Sequence, residues 1–405
     1  MNFKHVLHDV WSNGPGRIGL ILLAFLLVLS IYAIFRFPPG FGTEQWSNPT
    51  VWSDNPKNVP PIWLNYISTR HAMPHTELSS NRPSDSTQSA VNKVDEYRFP
   101  VDFSADEIPA FIAMSIKDIS FHSKSPVFTV RLARPDDTII TLDRIIVPGP
   151  RAKELPPFQR NLEEPLRKTF TGSSQVSENL RQFFLDTYGG KPSLEFIQNN
   201  AALAMMGIPV TGTSDNFDLL HGHYEFIVTV TSHDTRDHVG VIKFTLGGTV
   251  FGLMGTDAQG RDLASGLLAG LPIALFIGIM ASLLTTAIGT TLGIASGFAG
   301  GKTDLLIQRM TDVVGNAPVL PLLIFLVFIL KPNLFLIILL LVAFSWPGLT
   351  ILVRSMILQI RSGQLVDSAK VIGASPRRIM FRYLFPQVAP FVLAQMIFFT
   401  PAAIL

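Results

Sequence analysis

The chain has 405 residues, 47% hydrophobic and only 15% charged, with a formal net charge of +2 and no cysteine. So few charges exclude an ordinary soluble protein of this length, and the near-neutral balance gives no footing for nucleic acid. Disulfide stapling is excluded too, so any globular part must be held by core burial alone.

In chain order, the first uncharged stretch is Ile18–Phe35, between Arg17 and Arg36. A helix crosses the bilayer core with about 20 apolar residues, so this stretch predicts a membrane span. The run is too long for a signal-peptide core, and no small-residue cleavage site follows it. From Pro38 to about Tyr97, frequent Pro, Asn and Ser predict an irregular linker.

Strand patterns follow. Phe128, Val130 and Leu132 alternate with Thr129 and Arg131, the Arg134–Asp137 run supplies a turn, and Ile139–Asp143 returns as a hairpin partner. Tyr224, Phe226, Val228 and Val230 alternate with polar residues, and Val239–Leu246 is a further strand. The run Leu219–Tyr224 resembles the tyrosine corner of immunoglobulin-like sandwiches. Two helices interrupt the strands. One carries Leu180, Phe184 and Tyr188 on a single face and stops at Gly189-Gly190; the other runs Leu194–Met206 and stops at Gly207. His221, His223, His233 and His238 with Asp234 are candidate metal ligands, because imidazoles two apart on a strand share a face. Exposed loop and strand-edge histidines account for them better, and no metal or other cofactor is expected.

The remaining apolar stretches are Leu263–Gly301, long enough for a span plus a shorter helix, then Val313–Leu330, Pro332–Val353 and Tyr383–Leu405. Ser296–Thr303 is one residue from a phosphate-binding loop, with Ser296 where the first Gly belongs. Such a loop must leave a buried strand; this run leaves a membrane span, so any nucleotide chemistry is expected on another chain. Trp346 and Pro347 interrupt the fourth stretch, and Pro390, Gln395 and Pro401 mark the fifth. Polar or broken positions at membrane depth line pathways or pair between helices; Trp346 and Gln395 are the pathway candidates.

Between the last two stretches lie Arg354, Arg361, Lys370, Arg377, Arg378 and Arg382, opposed only by Asp367. Short basic loops stay in the cytoplasm. Counting back, Lys331 is outside, Lys302–Asp312 inside, the segment from Arg36 to about Phe251 outside, and the N-terminus with Lys4 inside. Within the basic loop, Gly373 ends one short helix, and Ser375 caps a second with Pro376 in its first turn. Ala369 and Gly373 are four apart, so a shared bare face predicts close approach by another protein.

The order Asp367, Ser368, Ala369, Gly373 resembles the "EAA" loop of binding-protein-dependent ABC permeases. The later Tyr383–Gln387 stretch keeps the family's proline as Pro386 but lacks its His and Asn. Gly255, Thr256, Asp257, Gly260, Arg261 and Asp262 match the G-T-D-x-x-G-R-D signature of the C-type permeases of the dipeptide/oligopeptide/nickel branch. Gly300–Asp304 with Arg309, Asp312 and Pro318 matches the next family segment. The family commonly has an Arg and a Ser after Gly270, where this chain has Pro272 and Ala274. The large outer segment is outside the resemblance. Family members continue past the fifth stretch with a Ser-Phe-Leu-Gly motif and a sixth span, so the stop at Leu405 implies a fragment or an incomplete domain.

The expectation is an α-helical polytopic protein of the cell membrane with an inserted β-rich extracytoplasmic domain. Residues 1–37 hold the cytoplasmic N-terminus and first span, and 38–250 the outer linker and domain. Residues 251–405 hold the permease, with spans near 270–298, 314–330, 333–353 and 387–405 and a coupling loop at 354–386. The resemblance implies a non-enzymatic subunit of an ATP-driven importer for peptides or a related solute. Its implied partners are a second permease, two ATPase subunits that dock on Asp367–Gly373, Ser375 and Pro386, a solute-binding protein and the lipid bilayer. The competing reading is a membrane-anchored sensor or scaffold whose outer domain does the binding.

Overall fold

A computed structural model describes residues 14–89, 92–189, 192–210, 216–330 and 333–404. The expectations for Lys4, Gly190, Lys331 and Leu405 fall outside the described residues. The chain forms two compact units: Pro39–Leu267, and residues 1–38 with Leu268–Leu405.

Helix α1 (Gly14–Arg36) has no polar face, as expected of a helix solvated by lipid on all sides. It meets Pro38 two residues past its end, where a helix cannot easily continue.

The Pro39–Leu267 unit is a β-sandwich. One antiparallel sheet has the order β2 (Asp85–Gln88), β3 (Lys93–Phe103), β11 (Gly222–Ser232), β5 (Val127–Ala133), β6 (Ile139–Ile146). The other runs β1 (Thr76–Ser80), β12 (His238–Gly247), β4 (Phe111–Phe121), β7 (Phe158–Arg160), and β8 (Leu166–Thr169) also pairs with β4. Alternation sets the faces. Phe128, Val130 and Leu132 are buried, whereas Arg131 on the other face donates to Glu96 and Thr229. Phe244 of β12 packs on Phe99 and Phe226 of the opposite sheet, at centroid distances of 5.0 and 4.8 Å.

The tyrosine corner is present: the buried Tyr224 hydroxyl lies 2.6 Å from the Leu220 carbonyl and 3.1 Å from that of Met206. Helix α2 (Ser174–Tyr188) buries Leu180 and Phe184 and ends at Gly189 in the left-handed region. The single helix expected over Leu194–Met206 is two, α3 (Leu194–Asn199) and α4 (Ala201–Met206), divided at Asn200, whose backbone is not helical. Two short strands, β9 (Gly207–Pro209) and β10 (Phe217–Leu219), pair with each other.

Residues 38–97 are not all linker. β1 pairs along β12, with Leu78 opposite Phe244, and β2 pairs along β3. Thr-Glu-Leu-Ser-Ser and Asp-Ser-Thr-Gln carry one apolar residue between them. As edge strands they are specified by a partner's backbone, so no apolar alternation announces them. The boundary expected at residue 250 also falls inside the unit, because residues 251–262 are hydrogen-bonded to 55–63.

Beyond the sandwich, Leu263–Gly301 forms one helix, α5 (Leu263–Ala299), which runs unbroken through Pro272. The stretch Val313–Leu330 is not one straight span. α6 (Gly301–Gly315) and α7 (Val319–Leu330) meet at 77°. Pro318 disfavours helix at Ala317 and has no N–H of its own, so the chain breaks there. The 12 residues of α7 rise about 18 Å, well short of a ~30 Å hydrocarbon core. Helix α8 (Leu334–Ile360) passes through Pro347 and continues beyond Arg354, the residue expected to open the loop. Short helices α9 (Gln364–Val371) and α10 (Pro376–Ile379) follow, then a widened π-turn over Met380–Leu384 and α11 (Phe385–Ile404). Pro386 lies just after that turn, where the wider winding makes room for its ring.

The corner can be tested in an isolated fragment spanning the whole unit, Pro39–Leu267. It should melt cooperatively as β-rich protein, and Tyr224→Phe should destabilise it by about 1–3 kcal/mol, since the corner loses the one hydroxyl donor that faces the Leu220 and Met206 carbonyls. Urea denaturation followed by circular dichroism measures this; an unchanged midpoint would remove the corner from the stability of the domain.

Candidate functional site

Three contiguous features of the helical unit form the candidate site. The first is a glycine ladder. Gly289, Gly293 and Gly297 recur every four residues on α5 and so share a face. A Cβ there would stand 3.0 Å from Leu349 Cβ at Gly289, 2.7 Å from Val353 Cβ at Gly293 and 2.8 Å from Ile357 Cβ at Gly297. The main chain of α5 therefore lies directly on α8, the close packing that small residues permit between membrane helices. Thr350 donates its hydroxyl to the Gly289 carbonyl at 3.2 Å across the same seam.

The second is a polar clamp at the end of that seam. Arg354 Nε and Nη2 each lie 2.6 Å from an Asp304 oxygen, a two-point pair joining α8 to α6. Ser296 donates to Asp304 at 2.5 Å, Gln308 donates to Ser296 at 3.2 Å, and Arg361 donates to the Gly297 carbonyl at 3.0 Å. The loop-like run Ser296–Thr303 is thus a helix-to-helix turn through Gly300 and Gly301, both in the left-handed half of backbone space. It follows a helix, not a strand.

The third is the short-helix segment. Val366 and Ala369 of α9 are buried with Ile379, Leu384, Val353 and Ile357 in one cluster. The expected bare face of Ala369 and Gly373 is not shared. Ala369 turns inward onto the chain's own core, while Gly373 lies past the helix end at φ +76°, closing it in a left-handed turn. Asp367, Ser368, Gly373, Ser375 and Pro386 are exposed. Ser375 caps α10 by accepting from Arg378 N–H. The outward apolar surface belongs instead to Val371 and Ile372, 87% and 75% exposed, flanked by Lys370, Arg377 and Arg378.

A cavity of about 250 Å³ lies farther along the helices, lined among others by Ser282, Thr285, Leu341, Ser345 and Phe399. Neither pathway candidate lines it. Trp346, the residue after Ser345, is buried, and its carbonyl accepts from Thr350; Gln395 is half-buried on α11. Ser282 donates to the Met396 carbonyl at 2.5 Å and ties α5 to α11 beside the cavity. The ladder and the cavity-lining hydroxyls escaped the sequence reading; the four-residue spacing of Gly289, Gly293 and Gly297 was the available signal.

In the sandwich unit, the signature residues form a knot. Thr256 donates its hydroxyl to the Pro56 carbonyl at 2.7 Å, and its N–H to that of Val59 at 3.0 Å. Asn55 donates to the Gly260 carbonyl at 2.9 Å. Gly255 and Gly260 have φ of +76° and +81° and face the carbonyls of Val59 and Trp52, so both the backbone and the space call for glycine. Arg261 donates to Asp257 at 2.6 Å and lies over the Trp46 ring at 4.6 Å. Burial opposes ionisation of Asp257, but hydrogen bonds from Arg261 and Gln259 outweigh it and hold the carboxyl below its ordinary value. Asp262 accepts from Ala264 N–H and the Ser265 hydroxyl and so caps the start of α5.

Two of the candidate histidines have separate partners. His221 bonds the Ala105 carbonyl and stacks on Phe103, and His223 pairs with Asp102. A different trio, His122, Asp234 and Asp237, brings its ligand atoms within 4.8 Å of one another. Its carboxylates are already engaged: Asp237 accepts backbone N–H groups of His122 and Asp234, and Asp234 binds Arg236 at two points. That is the bonding of a tight turn.

Residues 289–405 match the family model of binding-protein-dependent transport system inner membrane components. The chain is 32% identical over 148 residues to the peptidoglycan transport system permease protein YejE of Agrobacterium fabrum, covering 35% of this chain and 39% of that protein. It is 34% identical over 134 residues to the oligopeptide transport system permease protein OppC of Haemophilus influenzae, covering 33% and 43%. It is 32% identical over 151 residues to the inner membrane ABC transporter permease protein YejE of Escherichia coli, covering 36% and 44%. The chain thus spans less than half the length of these relatives.

The ladder makes a graded prediction. Gly293→Ala should lower the melting temperature of the detergent-solubilised protein, and Gly293→Leu should lower it further, as overpacking costs about 1–3 kcal/mol. Gly348, on the same α8 but with open space at its Cβ position, is the control: Gly348→Ala should leave the melt unchanged. Equal effects at the two positions would refute the close seam.

Proposed function

We propose that this multi-pass membrane protein, whose residues 289–405 carry the inner-membrane domain of binding-protein-dependent transport systems, is the permease subunit of an ATP-driven importer. The observation that carries the reading is the α9–α10 segment. Its inner side is locked to α8 and α11, while its outer side presents a solvent-exposed apolar tip between basic residues. Soluble surfaces rarely leave such a tip uncovered without a partner. The partner is an ATPase subunit, with ATP hydrolysed on that separate chain.

A push on Val371 and Ile372 is transmitted through Val366 and Ala369 to Val353 and Ile357 of α8. The glycine ladder passes it to α5, and Ser282 and Thr285 of α5 line the cavity. The clamp of Asp304, Arg354 and Ser296 makes α6 move with the seam. The solute class is peptides or peptide-like compounds, a reading supported by the peptidoglycan and oligopeptide transport permeases among the relatives. A second permease and a solute-binding protein complete the assembly. The basic segment faces the cytoplasm, as does the N-terminus, and the sandwich lies outside.

Ile372→Asp should leave the permease in the membrane but abolish recovery of the ATPase in a pull-down. Gly373→Glu should do the same, with Gly373→Ala separating backbone strain at φ +76° from added charge. Undiminished ATPase recovery with Ile372→Asp would sink the docking assignment. Orientation is read separately, on a chain with no cysteine of its own. Ser375→Cys should resist an impermeant thiol reagent in intact cells, and Leu155→Cys should react; labelling at Ser375→Cys would invert the topology.

A further inference from the structure

We propose that the sandwich unit carries its own bilayer-contacting edge, a patch of Trp63, Tyr66, Ile67, Leu253 and Met254 that rests in the lipid headgroup layer. These side chains come from two segments held together: Trp63 Nε1 donates to the Leu253 carbonyl at 3.0 Å, and Ile62 N–H to that of Gly252 at 3.0 Å. They are uncovered, with Tyr66 89%, Ile67 72% and Leu253 71% exposed. Large apolar and aromatic groups presented together to water mark a contact surface.

Two observations identify lipid as the occupant. The first is position. Leu263, the first residue of α5, donates its N–H to the Gly255 carbonyl at 3.1 Å, and Met254 and Leu253 directly precede Gly255. Consecutive Cα atoms are about 3.8 Å apart, so Leu253 and Met254 sit within roughly 10 Å of the helix start. α5 has 37 residues, against about 20 needed for the hydrocarbon core, which leaves its first turns free to lie at headgroup depth. The second is composition. Trp and Tyr pair an apolar ring with a polar tip, the combination enriched where bilayer meets water, and no acidic side chain lies in the segments 60–70 or 251–256. A protein partner is the competing occupant, and the two differ in what the isolated chain shows.

The full chain, with Tyr66→Cys or Leu253→Cys carrying a nitroxide, is reconstituted into vesicles of phosphatidylethanolamine and phosphatidylglycerol. Collision rates with oxygen, which partitions into lipid, and with a water-soluble nickel chelate are then compared. The exposed positions tolerate the label, and Leu155→Cys, 83% exposed on the same unit, is the aqueous reference. The oxygen-to-nickel ratio at both patch positions should exceed that at Leu155→Cys several-fold. Patch labels as open to the nickel chelate as the reference, whether because the surface faces water or awaits a protein, would overturn the proposal.

Discussion

The helical unit depends on two backbones lying against each other with no side chain between them. Where Gly289, Gly293 and Gly297 meet α8, the approach is set by main-chain atoms. In lipid no hydrophobic effect drives helices together, so dispersion contacts and the few interhelical hydrogen bonds must hold them. Close contact raises the number of atom pairs at favourable distance, and the Thr350–Gly289 bond fits only at that spacing. The two-point pair of Arg354 with Asp304 then becomes feasible, because both residues are carried to the same end of the seam. A helix pair joined this closely resists sliding, since each carbonyl ridge would have to climb over a Val or Ile Cβ. It moves as one body, which is what the proposed coupling from the α9–α10 segment to α5 requires.

The sandwich obeys different physics. Its core is aromatic and aliphatic and lies between two antiparallel sheets, with Phe244 touching both neighbours across the gap. Its polar features are mostly fasteners. Asp54 receives both Arg167 and Lys243, so the irregular segment near residue 54 is tied to β8 and β12. The Lys243 ammonium bridges on to Glu77, whose carboxyl is lowered to about 2 by the His75 ring 3.7 Å away and by Lys243 nearby. The signature knot belongs to the same class of fastener, made chiefly of backbone carbonyls and two glycines rather than charges.

Much of this was legible in the residues. Uncharged stretches give away four apolar helices of membrane length, and strict alternation gives away β5 and β11. Tyr224 was readable because a tyrosine at a strand start, just after a His-Gly-His turn, suits a corner. What stayed hidden follows from borrowed or paired interactions. β1 and β2 borrow their order from neighbours. Arg354 looked like the end of a span because an unpaired charge would be, but Asp304 pairs it and the helix runs on. Ala369 was ambiguous because alanine is equally at home in a core and on a contact surface; only the packing of Val366 and Leu384 decides which side faces in. The bend between α6 and α7 was announced by Pro318, yet an uncharged run reads as straight unless the proline is given its full steric weight.

The knot around Thr256 also sets how separable the sandwich is. The chain enters through Val59 and leaves through Thr256, and those two residues share a backbone hydrogen bond; Pro60 and Phe251 share another. Residues 60–255 therefore form a closed excursion whose stem is a few ångströms wide. Whatever its length, such an excursion asks the helices only for two adjacent attachment points. An ancestral short loop could have been exchanged for a whole domain, or a domain trimmed to a loop, without shifting the start of α5. The sandwich is thereby free to diversify at its own pace while the seam of the helical unit is held fixed by glycine.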